Sequence, residues 1–397
     1  MRQTWALVLD AYRDLNARKI FWIVLILSTL MATSSAAVGL TPNGFTIFWK
    51  EFFSRLNSRN VAPALFYKFV FLYLGLQWWL GFFATLLALL STASIFPDIL
   101  SSGAIDLYLS KPISRLRLFI TKYLCGMIFV TLQITVFCLA SFFVIGIRGK
   151  EWEPGVFMAI PLVVLFYSYL YSVCTLVGVV SRSTITALLV TILFWAAVFG
   201  VHFAETQTLA GHLEEQQAGI YLNQQILTDE TALERMKAPT TLPSLVAGIT
   251  PTTDPTTQPS LSSYLPGFLR GFAQDTAQSR LETKIAGERI QQGRMRDDYI
   301  LPHRISYAVM TFLPKTAETI DLLQRQLVVR ARLTTAVEYQ NGPPPPRRNR
   351  RDAERAAEAA MQVELSHRTV SWVVGTSVGF ELLTLTLAAV IFCRRDY

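Results

Sequence analysis

The residue types that carry enzyme chemistry are few and scattered in this chain. Its four histidines, His202, His212, His303 and His367, form no H-E-x-x-H and no metal-ligand spacing. Its four cysteines, Cys125, Cys138, Cys174 and Cys393, fall in or beside apolar runs and imply no disulfide framework. No G-x-S-x-G nucleophile elbow occurs. A phosphate-cradling loop needs G-x-x-x-x-G-K-[ST], the Lys for charge and the hydroxyl for magnesium. The nearest string, GIRGKEW at 146–152, lacks both the spacing and the hydroxyl. The sequence therefore predicts no catalytic residues, no metal and no cofactor in this chain. One ionisable group is conspicuous by its place: Glu381 interrupts an otherwise charge-free stretch from Arg368 to Arg394.

The elements that must position such residues are apolar helices. Of 397 residues, 52% are hydrophobic and 16% charged, against about 25% charged in soluble domains. No Asp, Glu, Lys or Arg occurs between Lys19 and Lys50, Lys68 and Asp98, Lys122 and Arg148, Glu153 and Arg182, or Arg182 and Glu205. With the Glu381 stretch these make six runs, each at or above the ~20 apolar residues that cross a bilayer. The first is too long for a signal-peptide core. The predicted fold is an all-α membrane protein with six transmembrane helices. A basic, amphipathic segment over 1–19 (Trp5, Leu7, Val8, Leu9, Tyr12, Leu15 with Arg2, Arg13, Arg18, Lys19) precedes them as an interfacial helix. Spans 1–5 occupy 20–204, and 369–397 holds span 6 and a short tail. No period-two strand pattern and no internal repeat is evident.

Lys and Arg mark the cytoplasmic side. Placing the N-terminus inside puts about eleven of them on the inner loops and tails and about six on the short outer loops. Both termini are then expected in the cytoplasm, in a cytoplasmic (inner) membrane. The 205–368 region holds nineteen basic and nineteen acidic residues, so the formal net charge of +8 belongs to the membrane part. That region reads as a largely helical extracytoplasmic insert between spans 5 and 6. Its helical signal runs over 209–237, 273–296, 301–333 and 352–368, with loose Pro-rich linkers near 238–260 and 341–351. The lipid bilayer is thus one partner, and nothing points to nucleic acid.

Between spans 2 and 3 the chain reads GAIDLYLSKPISRLRLFITKYL, from Gly103 to Leu124. Within the segment 97–122 this predicts a short helix on the membrane's inner face. Pro112 bends it by removing a backbone donor; Lys111, Arg115 and Arg117 form a basic rim. Such a bent helix, held by spans at both ends, could act as a lever, or serve only as a positive-inside loop. Here the chain resembles the integral permeases of ABC-2-type transporters. The residues that carry the likeness are Gly103, the LYLSKPISR element (Leu107–Arg115), Lys122 and the C-terminal Phe392, Arg394, Arg395 and Asp396. The resemblance covers 1–204 and 369–397; the insert departs from it. It implies that Gly103, Pro112, Ile113, Ser114, Arg115 and Lys122 couple the chain to a separate ATP-binding cassette ATPase, which carries the ATP and magnesium. It further implies a half-transporter paired with a second copy or a related permease.

Within the spans, Glu381 and Gln77 are the candidate pathway residues. Glu381 either lines a pathway or bonds a polar neighbour, and Gln77 and Gln133 suit interhelical hydrogen bonds. The alternative function is a membrane anchor or sensor in which the insert binds a partner and the spans merely hold it. An ion-coupled carrier would need several ionisable groups at membrane depth, and the sequence offers one.

Overall fold

The computed structural model describes residues 19–41, 44–47, 50–53, 63–100, 114–237, 267–294, 298–330 and 350–394. The interfacial segment before Lys19, the lever residues Gly103, Pro112 and Ile113, and the linkers at 238–260 and 341–349 lie outside these. The described residues are overwhelmingly helical, and five of their helices are long and apolar enough to cross a membrane.

The first apolar run does not form one long helix. Helix α1 spans Lys19–Ser34 and is followed by a single 3-10 turn, Ser35–Ala37. Its sixteen residues extend about 24 Å at 1.5 Å per residue, short of a ~30 Å hydrocarbon core. Beyond Ala37 the run becomes strand: β1 (Val38–Thr41), β2 (Gly44–Ile47) and β3 (Lys50–Phe53) make an antiparallel sheet in sequence order. Val38 pairs with Ile47 and Thr41 with Gly44, and a bulge follows Phe45 in the β2–β3 ladder. This corrects the expectation of an uninterrupted charge-free span with no strand. The sequence TPNG at 41–44 supplies turn-forming residues between β1 and β2, which pair from Thr41 and Gly44 outward. The hairpin is too short and too broken for period-two counting to register.

Span 2 runs from Pro63 to Ile99. It begins as α2 (Pro63–Val70), widens into a π-helix over Phe71–Ala84, and resumes as α3 (Thr85–Thr92) and α4 (Ile95–Ile99). The Thr85 hydroxyl donates to the Leu80 carbonyl at 2.7 Å, where the wide turn hands back to α-geometry. Span 3 is α5 (Arg115–Gly149) and span 4 is Pro154–Ser181, a 3-10 turn leading into α6 (Ala159–Ser181). Lys150 (φ 58°) and Arg182 (φ 55°) take the left-handed conformation that closes α5 and α6. Helix α6 lies at the centre of the packing. Its Phe166, Tyr167, Tyr169, Leu170 and Tyr171 are wholly buried, among Leu76, Leu80, Leu89, Phe137 and Phe392.

Span 5 and the first insert helix are one element, α7 (Thr184–Lys237). No proline falls within it, and Pro239 follows its end. The chain then gives α8 (Gly267–Arg294), α9 (Ile300–Phe312), α10 (Thr316–Arg330), α11 (Arg350–His367) and span 6, α12 (Val370–Arg394).

Two compact units result. One comprises Met1–Glu205, Ile305–Pro344 and His367–Tyr397; the other comprises Thr206–Arg304 and Pro345–Ser366. In the second, α7 and α8 run antiparallel over a small core of Leu222, Ile226 and Ile285. Asp229–Lys284 (2.6 Å) and Glu282–Lys237 (2.7 Å) flank that core. The first unit contains all the spans and also α10, which belongs in sequence to the insert. Helix α10 packs against α6, α12 and the π-helical stretch of span 2. Gly81 lets the Ile320 side chain come close: a Cβ there would lie 2.9 Å from Ile320 Cδ1.

The spans alternate in direction. At what is here the first end lie Ile99, Arg115, Arg182 and Arg394; at the second end lie Pro63, Gly149, Pro154, Glu205 and Arg368.

Candidate functional site

A polar stripe follows one face of span 6. Arg368, Trp372, the adjacent Thr376 and Ser377, Glu381 and Thr384 follow one another at steps of three or four residues, so their side chains stack along the face turned to α6 and α10. From Arg368 at the second end, the thirteen residues to Glu381 span about 20 Å.

Glu381 is held by two other spans. Its Oε1 accepts from the Tyr123 hydroxyl of α5 at 2.9 Å, and its Oε2 accepts from Ser168 Oγ of α6 at 2.8 Å. An ionised carboxylate only accepts, so these two donors meet one demand on each oxygen. The hydroxyls continue beyond it. Tyr123 stacks on Tyr171 (5.0 Å between centroids) and Tyr171 on Tyr167 (5.5 Å); the Tyr167 hydroxyl lies 2.5 Å from Thr92 Oγ1. One turn along, the Thr384 and Ser172 hydroxyls are 3.3 Å apart. Gly126 lets Tyr171 in: a Cβ there would lie 2.5 Å from its hydroxyl. Glu381 thus has the polar neighbours on other spans that an ionisable residue at this depth requires.

Nearer the second end, five ionisable groups converge. Arg368 donates to Glu205 Oε1 at 2.5 Å and to Glu318 Oε1 at 3.3 Å. His202 Nδ1 is 3.2 Å from the same Glu318 oxygen. Glu205 has no exposed surface and Glu318 little. Lys315 enters at the corner between α9 and α10. Its backbone N–H donates to Ser377 Oγ (2.9 Å), its Nζ donates to Thr376 Oγ1 (2.6 Å), and Nζ stands 4.2 Å above the Trp372 ring. Pro314 just before it lies at the start of α10, where a lost N–H is harmless.

The charges there are tuned by their surroundings. Burial pushes the Lys315 ammonium down from its ordinary 10.5 to about 8, with Arg368 adding to the fall and Glu318 opposing it. Burial raises the Glu318 carboxyl, but the hydrogen bond and charge of His202, with the charge of Arg368, outweigh it and the net direction is down. Glu318 is therefore favoured as the anion beside Arg368 and His202, while Lys315 is pushed down to about 8.

The expected coupling residues fall at the first end. Ser114 caps α5, its hydroxyl accepting from the Arg117 N–H at 3.4 Å. Arg115 Nη1 donates to the Cys393 carbonyl of span 6 at 3.3 Å. Below this tie, Phe96, Phe119 and Phe392 form a chain of rings at 5.1 and 5.7 Å, joining α4, α5 and α12. Lys122 is buried within the bundle instead of lying on its surface, and Arg117 is exposed. Gln77 sits on the exposed face of the π-helix, and Gln133 is buried.

The sequence singled out Glu381 by its isolation. It did not single out the cluster at the second end, because Glu205 and Arg368 read as boundaries of charge-free runs, and Lys315 and Glu318 as part of a solvated insert. Pro314-Lys315 beside apolar Ile320 and Leu322 was the available signal. Among the described residues no His, Cys, Asp or Glu group has metal-holding geometry. Compared with known proteins, no family model matches the chain, and no curated protein or solved structure is similar to it.

Proposed function

We propose that this chain is the permease half of an ATP-driven exporter of the ABC-2 type, paired with a second permease and served by a separate ATPase subunit. The first end then faces the cytoplasm of an inner membrane, with both termini there, and the region after Glu205 lies largely outside. The observation that carries the reading is the clasp at the first end. The segment 101–113, which holds Lys111 and Pro112 in sequence, connects α4 to α5, and at the start of α5 Arg115 and the Phe96–Phe119–Phe392 chain grip the end of span 6. A push on that segment would reach span 6, and span 6 bears the polar stripe that contains Glu381. An anchor has no use for such a transmission.

The test is purification of the tagged full chain from its own host in mild detergent. The reading expects an ATP-hydrolysing subunit to accompany it, and Arg115→Glu or Arg117→Glu to strip that subunit and its hydrolysis while the chain still elutes as a folded particle. Absence of any ATPase, or retention of full hydrolysis by both variants, would favour an anchor whose outer helices bind a partner.

A further inference from the structure

Near the second end, α1, span 2 and α5 enclose a cavity of about 440 Å³, within the ~300–1,000 Å³ range of ligand sites. Ala32, Val70, Leu74, Phe137, Val144 and Ile145 are among its walls. Three of the four hydroxyls in the lining are turned to backbone: Ser34 donates to the Met31 carbonyl at 2.8 Å, Ser35 to the Ala32 carbonyl at 2.6 Å and Tyr67 to the Val38 carbonyl at 2.7 Å. The lining is therefore mostly apolar, and a cleft of this kind suits an apolar guest.

Its position says which guest. The deepest wall residue of α5, Phe137, lies twelve residues before the helix end at Gly149, about 18 Å, close to half of a ~30 Å hydrocarbon core. The cavity thus has the depth of one leaflet. Next in the strand to the wall residue Val38, Gly39 has the guanidinium of the exposed Arg148 against it. A Cβ on Gly39 would be 3.0 Å from Arg148 Nη2. An apolar slot one leaflet deep with a guanidinium at headgroup level matches a lipid that carries an anionic phosphate.

We propose that this cavity is a binding site for one acyl chain of a glycerophospholipid from the leaflet at the second end, its phosphate resting on Arg148. The site stands independently of the permease reading. Ser141, buried in the wall, offers a place to fill it, and Ile185, 72% exposed on α7, serves as a control on the general lipid surface.

The experiment purifies the full chain in mild detergent, washes until bulk lipid is gone, and measures extracted phospholipid per chain. Washed protein is then titrated with phosphatidylglycerol and, separately, with diacylglycerol of the same chains. About one phospholipid per chain is expected in the wild type and in Ile185→Phe, and none in Ser141→Phe. Arg148→Gln, an exposed change that leaves the walls intact, should weaken phosphatidylglycerol about tenfold, as loss of a charge-assisted hydrogen bond does, and leave diacylglycerol unchanged. The proposal is overturned if wild type retains no phospholipid, if a folded Ser141→Phe retains as much as wild type, or if Arg148→Gln binds phosphatidylglycerol as wild type does.

Discussion

Replacing Arg368 by Met tests whether the cluster at the second end holds the bundle together. Arg368 is nearly buried and lies between two carboxylates, Glu205 at 2.5 Å and Glu318 at 3.3 Å. Breaking a buried ion pair by removing one partner costs about 3–5 kcal/mol, because the other charge stays behind in a poor solvent. Glu205, with no exposed surface, loses its 2.5 Å bond to Arg368, while Glu318 loses a 3.3 Å bond and keeps His202 at 3.2 Å. Arg368→Met should therefore destabilise the first unit by about 3–5 kcal/mol. Removing both charges in Arg368→Met/Glu205→Met should recover at least ~2 kcal/mol of it, since an apolar pair replaces an ion pair at little cost. Unfolding in mixed micelles, followed by tryptophan fluorescence, measures all three variants. A single variant within ~0.5 kcal/mol of wild type, the range of an unimportant surface change, would refute the reasoning. So would strict additivity of the two substitutions.

Two further outcomes follow from the same geometry. Lys315 titrates at about 8 in the folded chain and at 10.5 in its ordinary state, so between these values the unfolded chain binds the extra proton and stability rises with pH. The wild type should gain stability from pH 8 to 10.5 and Lys315→Met should not. Glu318, depressed below its ordinary 4.5, contributes stability that is lost as pH falls below that value, and Glu318→Gln should flatten that limb. At Glu381, Gln still offers an oxygen to one hydroxyl and an amide that the other, by rotating, can accept. Glu381→Gln should cost under ~1 kcal/mol and Glu381→Leu about 1–2 kcal/mol, since Leu removes the carboxylate and leaves Tyr123 the longer bond to the Ser168 carbonyl at 3.4 Å and Ser168 its bond to the Leu165 carbonyl at 2.8 Å. If Gln abolishes transport while Leu and Gln differ in stability as stated, the charge acts in transport; equal stability of the two would remove the hydrogen-bond account.

The spans from Pro63 onward were legible because a charge-free run of this length has few soluble alternatives. The sheet after Ala37 was not, because TPNG sits inside a run that hydropathy alone treats as continuous. Helix α7 was read as two elements, since Glu205 looks like a membrane boundary; yet nothing between Thr184 and Lys237 can break a helix. The placement of α10 was the hardest feature. Its sequence, TAETIDLLQRQLVVR, has the mixed polarity of a solvated helix. Which of its faces is buried depends on Gly81 and Tyr169, residues far away in sequence on other spans.

Span 6 joins these features into one physical argument. Its Cys393 carbonyl and Phe392 ring are gripped at the start of α5, Glu381 in its middle is held by spans 3 and 4, and Arg368 just before it is locked to span 5 and α10. A rigid helix fixed at three levels transmits displacement only if the bonds at one level exchange partners. The middle level is the one built for exchange: a carboxylate between two hydroxyls, with Thr384, Ser172 and the stacked tyrosines within a turn, can trade one donor for another with little change in energy. The ion pairs at the second end cannot, because each carries a buried charge. Motion of span 6 is therefore expected to pivot about Arg368 and to be largest at Phe392. On the permease reading proposed above, distances between spin labels on spans 5 and 6 should change more at Arg394 than at Thr369 when nucleotide is added with a co-purified ATPase; equal changes at both ends would mean that the helix shifts as a rod and that the cluster is no pivot.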